Sequence, residues 1–449
     1  MTAVTSARSE LRDRTGEGGE ATPAERTPWL LGFLCFLIPA LPTYVVLPGP
    51  LKSNGSPARM IAVLFFGLVI LGFVMVRRSG HARRTSPGAL ILLAYFSLWL
   101  TTYGVALHGF DYTPGWTSTA SSMTRTLIAL TANVGVGLYV ITRVRTVRQR
   151  HFVLGCLTIG LAFAALVGIL QTVASVDIRY LFQPPGFVLN TDELALTERA
   201  GVARALGTSA HAIEYSVLAT VLLPLAIYFA RNAATRNARF LSACACVLAV
   251  VAMPTGISRT GVIALGAALL VLMLAHTVRH IVTGIVIGVL AAGAYVVTFP
   301  GIANALWVTI VNSERDPSVL GRTADYAEVS ETFRAHPVFG LGLGGSPPDV
   351  YGYLDNEWLQ AIVQGGVVGI VAMLLLMGGG ILGIAAALRR ATTRSDRDLA
   401  YTLGASFAAI MVSSFTFDVL GFQQAALLLF VMFGMLWSTF RVSSPGPDT

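Results

Sequence analysis

The sequence predicts an all-α polytopic membrane protein of about 12 transmembrane helices, with a large, partly helical extracytoplasmic loop before the tenth. Three observations predict it. Of 449 residues, 54% are hydrophobic and 12% are charged, against about 25% charged in an ordinary soluble domain. The apolar residues stand in blocks of about 16 to 25, enough at 1.5 Å rise per residue to cross a hydrocarbon core roughly 30 Å thick. Arginines gather between every second pair of blocks.

Taken in order, the first six blocks fall at 29–48, 60–76, 88–107, 126–142, 152–174 and 212–230. Six more follow at 240–254, 261–276, 281–299, 357–387, 399–418 and 422–440. The stretch 357–387 is over-long for one crossing, so a tilt or a break at Gly378-Gly379-Gly380 is expected there. The membrane domain thus covers 29–440, flanked by an N-terminal tail of residues 1–28 and a C-terminal tail of 441–449.

Orientation follows from the basic residues, which are retained on the cytoplasmic side of the spans they flank. With both tails inside, the inner loops hold Arg77, Arg78, Arg83 and Arg84, then Arg143, Arg145, Arg148 and Arg150. Further along come Arg231, Arg236, Arg239 and Arg279, then Arg389, Arg390, Arg394 and Arg397. With Arg8, Arg12, Arg14, Arg26 and Arg441, 21 of the 31 basic residues lie inside and 10 outside. The net charge of +8 therefore reports topology. Basic residues dispersed over separate loops form no groove for nucleic acid, so none is expected as a partner. The four cysteines, Cys35, Cys156, Cys244 and Cys246, all fall inside spans and read as small apolar residues. No cleavable signal peptide precedes the first span, which is expected to serve as its own insertion signal.

Two outer loops, 175–211 and 300–356, are longer than a helix connection needs, and long ordered loops are usually functional. They hold Asp177, Asp192, Glu193, Glu198, Glu314, Asp316, Asp325, Glu328, Glu331, Asp349 and Asp355. Within the second, Arg322 to Phe333 reads as a short amphipathic helix with Tyr326, Val329 and Phe333 on one face, ending at His336-Pro337. Behind it, Phe339 to Gly345 matches the spacing GxGxxG, but no strand precedes it and no helix follows directly. A tight loop with close backbone packing is the better account.

Four segments carry polar residues to the outer membrane surface, where they are costly to keep. They are Arg204 to His211, Ser258-Arg259-Thr260-Gly261, Arg322 with Tyr326, and Asp355-Asn356-Glu357-Trp358-Leu359. An arginine fork offers paired hydrogen bonds to phosphate oxygens and keeps its charge at any relevant pH. Two such forks suit a diphosphate, and Asp355 offers a carboxylate to accept a proton from an attacking hydroxyl. Structural roles stand beside these. Arg259 is also placed to anchor at the headgroups, Arg204 to pair with Glu198 or Glu214, and Asp355 to cap the following helix. His211 and His336 read as loop hydrogen-bonders before ligands, and Trp358 as part of an interfacial aromatic belt.

In this order and at these positions, the four segments resemble the O-antigen ligase and polymerase superfamily of bacterial membrane glycosyltransferases. The resemblance covers roughly residues 200–387. It rests on Arg204-x-x-Gly207-Thr208, Ser258-Arg259-x-Gly261, and Gly321-Arg322 with His336-Pro337-x-x-Gly340-x-Gly342-x-Gly344. Asp355-Asn356-x-Trp358-Leu359, followed by Gly365-Gly366-x-x-Gly369, completes it. The resemblance implies a metal-independent inverting transfer, without cofactor, from an undecaprenyl-diphosphate-linked glycan to an acceptor hydroxyl on a glycan or lipid, at the outer face of the cytoplasmic membrane. It implies that Arg204 and Arg259 bind the diphosphate, with Asp355 as the catalytic base. Arg322, Tyr326, Asn356, Glu357, His211 and His336 are the candidate substrate-binding residues. The family's ligases place a histidine where this chain has Asp355, a departure that shifts weight toward a polymerase or a divergent member. The rival class is a polysaccharide or lipid-linked glycan transporter. Transporters tend to place their sites near the midplane, whereas the polar groups here gather at one face.

Overall fold

The computed structural model describes residues 27–49, 52, 54–75, 86–109, 116–190, 195–311, 317–352 and 354–439. The arginines of the terminal tails, Arg77, Arg78, Arg83 and Arg84, and Asp192, Glu193, Glu314 and Asp316 lie outside these residues. The first five helices are α1 (Trp29–Ala40), α2 (Pro57–Met75), α3 (Pro87–Gly109), α4 (Trp116–Arg143) and α5 (Val147–Val173). Then come α6 (Ala212–Asn232), α7 (Arg236–Thr255), α8 (Arg259–Met273), α9 (Val278–Thr298), α10 (Pro300–Val311) and α11 (Pro317–Ala335). The last four are α12 (Pro348–Tyr351), α13 (Glu357–Arg390), α14 (Arg394–Ser413) and α15 (Gln423–Ser438).

Local chemistry sets many of these boundaries. Pro57, Pro87, Pro300, Pro317 and Pro348 each stand at the first helical position, where the missing N–H costs nothing and φ is already helical. Thr146 and Thr393 open α5 and α14 through reciprocal capping boxes with Gln149 and Asp396. Among the described residues, eight helices are long and apolar enough to cross a membrane, and α1, α8, α10 and α15 are shorter apolar helices. The chain is a multi-pass membrane protein.

Each block named from the sequence falls on a helix, with four corrections. The first helix ends at Ala40 and not at 48, because Leu41 precedes Pro42, which disfavours helical backbone before it. The chain then extends into β1 (Val45–Val46), which pairs antiparallel with β2 (Val188–Leu189). The 300–356 stretch opens with the apolar α10 before the amphipathic α11, which is longer than its 322–333 estimate. The eleventh span ends at Ser413, leaving 414–422 as a connection.

The fourth correction concerns α13. It breaks at Gly366 (φ 54°, ψ −138°) and not at Gly378-Gly379-Gly380. The break frees backbone groups, and the glycine-rich turn satisfies them. The Val367 and Val368 N–H donate to Pro337 O (2.9 Å) and Val338 O (3.1 Å), and Leu341 N–H donates to Val363 O (2.8 Å). A Cβ on Gly366 would stand 2.5 Å from Pro337 O, and one on Gly340 would stand 2.5 Å from Val363 O. This is close backbone packing, as the sequence suggested for the turn. Gly379 and Gly380 stay helical and admit the rings of Phe433 and Phe407.

At the centre of the bundle runs α15, every residue of which from Gln424 to Ser438 is buried. A helix apolar on all sides belongs in such a position. It packs against α1, α3, α4, α6, α13 and α14. By contrast α9 packs chiefly against its successor α10, and of its residues Tyr295 alone is buried.

Candidate functional site

The Arg204 segment is held by its backbone. Gln171, near the end of α5, accepts from the N–H of Leu206 (3.0 Å) and Gly207 (2.8 Å) and donates to Gly207 O (3.1 Å). Its amide also donates to Asp177 (3.3 Å), which forms a 2.6 Å ion pair with the buried Arg179. Thr208 donates to Pro39 O, so the segment leans on α1 as well. Ahead of it, β3 (Glu198–Arg199) pairs with β4 (Val202–Ala203). Arg204 itself is 8% exposed, and its Nε donates to Gly256 O at 3.0 Å. The alternative of Arg204 pairing with Glu214 meets an obstacle, since the Glu214 carboxylate already accepts the N–H groups of Ala210, Gln424 and Ala425.

Gly256 leads directly to Arg259. Between them Ile257 is fully buried at φ 43°, a left-handed conformation that costs a β-branched residue about 1–3 kcal/mol. Such strain persists where the surroundings fix it. Arg259 then occupies the first position of α8, half-buried, with Ser258 as the N-cap residue. A cation at that end opposes the helix dipole. Cation and dipole together make a place favourable to an anion.

The Asp355 segment meets the same region through the connection 414–422. Thr260 and Thr416 hydroxyls contact at 3.0 Å. From the other side, Asn356 Nδ2 donates to Phe415 O (3.0 Å), Glu357 N–H to Ser414 O (3.1 Å) and Trp358 Nε1 to Ser414 Oγ (3.0 Å). Trp358 stacks on Phe415 at 5.1 Å and is half-buried. The cap of α13 is Asn356, whose Oδ1 accepts from the N–H of Trp358 (2.9 Å) and Leu359 (3.4 Å). Capping therefore does not fall to Asp355, which remains exposed.

Two acidic side chains beside it behave differently. Glu357 and Asp418 are electrostatic neighbours. Leu420 N–H donates to Glu357 at 2.8 Å and Gly421 N–H to Asp418 at 3.0 Å. Asp355 is an electrostatic neighbour of Asp418 and also of His211. His211 caps α6, its Nδ1 accepting from Ile213 N–H at 3.2 Å. Burial, then the charge of Arg204, lowers His211 to about 4, with Asp355 opposing and Arg199 adding to the shift. It is neutral at pH 7.

Arg204, Arg259, His211, Asp355, Asn356 and Glu357 thus gather at one end of the bundle around residues 414–422. Asp418 and Thr416 in that connection went unnoticed in the sequence, because Phe415, Phe417, Val419 and Leu420 extend the hydropathy of the flanking spans across it. His336 and Tyr326 are not gathered in. His336 is exposed at the end of α11, and Tyr326 is 55% exposed, while Val329 on the same helix packs against Leu354, Leu359 and Val363. Tyr326 therefore leaves the packed face on which the sequence placed it. Arg322 lies in α11, with its side chain outside the described residues. Among the described residues, no group of three or more metal-ligating side chains is present.

Over residues 244–374 the chain matches the family model described as O-antigen ligase. The matched stretch holds Arg259 and Asp355 and ends eight residues past the break at Gly366; Arg204 and Asp418 lie outside it. No curated protein matches the chain. The match agrees with a glycosyltransferase of the ligase or polymerase type and with a role in polysaccharide biosynthesis. Over that segment, embedded in a bundle of apolar helices, the chain is similar to the O-antigen ligase family.

Proposed function

We propose that the protein transfers a glycan from an undecaprenyl-diphosphate carrier to an acceptor hydroxyl, on a lipid or a growing polysaccharide, at the outer face of the cytoplasmic membrane. The observation that carries this reading is the convergence of Arg204 and Arg259 with Asp355 around the connection 414–422. The acceptor oxygen attacks the anomeric carbon, and the bond from that carbon to the diphosphate oxygen breaks with inversion. Asp355 takes the acceptor proton. Charge appearing on the departing diphosphate is met by Arg204, Arg259 and the N-terminus of α8.

The sidedness of this reading comes from the arginine distribution, which puts the ends bearing Arg150, Arg231 and Arg394 inside and the site outside. Exposed Asp355 faces water for the acceptor, and the carrier reaches the arginines from the lipid side.

The test is release of free carrier by the detergent-purified protein given an undecaprenyl-diphosphate glycan. Arg259→Ala and Asp355→Ala are each expected to slow release by about a hundredfold or more. Variants that consume donor at the wild-type rate would remove these residues from the reaction. Movement of glycan across sealed vesicles with no new glycosidic bond would instead make the protein a transporter.

A further inference from the structure

We propose that the end of the bundle opposite this site carries a binding site for the phosphate of an anionic lipid headgroup, built around Arg150. Arg150 lies in the first turns of α5, whose far end, at Gln171, holds the Arg204 segment about 30 Å away. It is 4% exposed, and its Nε and Nη2 have no hydrogen-bond partner among the described residues. These two N–H groups form the side-on edge of the guanidinium, the edge that meets two oxygens of one phosphate. Leaving a buried charge uncompensated is costly.

The neighbours of Arg150 are partly committed elsewhere. Asp396 is an opposing charge that offsets part of its own, with one carboxylate oxygen, Oδ2, taken up by Thr393 N–H (3.2 Å), Thr393 Oγ1 (2.8 Å) and Thr392 Oγ1 (3.3 Å) in capping α14. The Tyr228 hydroxyl contacts His151 Nε2 at 2.6 Å and Ser395 Oγ at 3.3 Å. Tyr228 also lines a surface cleft with Arg231, Asn232, His276, Asp398 and Thr402. In that cleft Arg231 is paired with Asp398 at 3.3 Å, whereas Arg150, an electrostatic neighbour of the cleft residue Tyr228, keeps two guanidinium N–H groups without a hydrogen-bond partner among the described residues.

A lipid is favoured over free phosphate by what flanks the cleft. Leu274 (73% exposed) and Val278 (76%) border its His276 side, and Phe240 (68%) and Leu241 (66%) follow Asn232 at the start of α7. A phosphate fork beside exposed apolar side chains suits a molecule with a headgroup and acyl chains, and basic pockets between helices recognise such headgroups.

The experiment compares purified wild type and Arg150→Met in micelles doped with phosphatidylglycerol or phosphatidylcholine, or supplied with inorganic phosphate. Lipid retention is read by native mass spectrometry and stability by thermal unfolding. Wild type is expected to retain phosphatidylglycerol about tenfold better than phosphatidylcholine and to ignore inorganic phosphate. Arg150→Met should lose that preference while melting no lower than wild type in phosphatidylcholine, because it removes an unpaired buried charge. Arg150→Lys, which keeps a charge without a fork, should retain an intermediate preference. Full preference in either variant would overturn the proposal, and an equal response of wild type to inorganic phosphate would replace the lipid by a free anion.

Discussion

His211 shows how one residue reports on its surroundings. The unfolded chain binds a proton on this imidazole near pH 6.5, whereas burial beside Arg204 lowers the folded value to about 4. The unfolded state therefore binds more protons between those values, and stability rises with pH across that window. It is complete above about 6.5 and falls as pH drops toward 4, where the fold accepts the proton as well. We expect His211→Gln to flatten the dependence of the thermal midpoint on pH between 7 and 4, a scan that reads the effect directly. A wild-type slope in that variant would assign the acid sensitivity elsewhere, Asp177 being the other candidate. Burial raises the Asp177 carboxyl, but the hydrogen bonds and charge of Arg179, with the Gln171 amide, outweigh it and hold it below its usual range. Its contribution is lost only as pH falls below that range, so the two windows separate.

At the scale of the element, α13 is where sequence reasoning and structure part most clearly. Its excess length was legible, since 34 residues exceed one crossing. The position of the break was not. Both glycine clusters are equally permissive as sequence, and the choice is made by the turn 337–345, which supplies acceptors and a donor only at Gly366. Gly366→Ala is expected to cost about 3 kcal/mol or more, through its left-handed backbone and the approach of Pro337 O. Gly378→Ala, at a helical position with nothing within 4 Å of its Cβ, should be neutral or stabilising by up to about 1 kcal/mol. Thermal unfolding of the two variants side by side checks the assignment. The same logic explains the connection 414–422. Its apolar residues satisfied the hydropathy of a span, while what makes it a connection is the set of partners it finds on α8 and α13.

For the whole molecule, the order of the apolar blocks and the four polar segments were readable because they depend on local composition and spacing, whereas α10 and α12 lay inside what read as a loop. Which segments meet depends on α15, and nothing local announces that a short apolar helix is central. Gln424 at its start ties three regions together, accepting from Ser209 (2.7 Å) and donating to Leu41 O (3.2 Å) and Thr208 O (3.3 Å). Gln424→Leu would leave those groups unpaired in a buried setting, and a loss of about 2–4 kcal/mol is expected in thermal unfolding. Carrier release should fall with it, as the Arg204 segment loosens.

The dependence of the site on residues 414–422 also orders events during synthesis. Arg204 and Arg259 enter the membrane long before Asp418, and the helix that fills the middle of the bundle follows later still. A partly translated chain therefore holds the two cations without the wall that carries Asp355 in its final place. The proposed activity therefore requires the last helix to have slid between its neighbours, and a chain stalled on the ribosome before that point is expected to be inert.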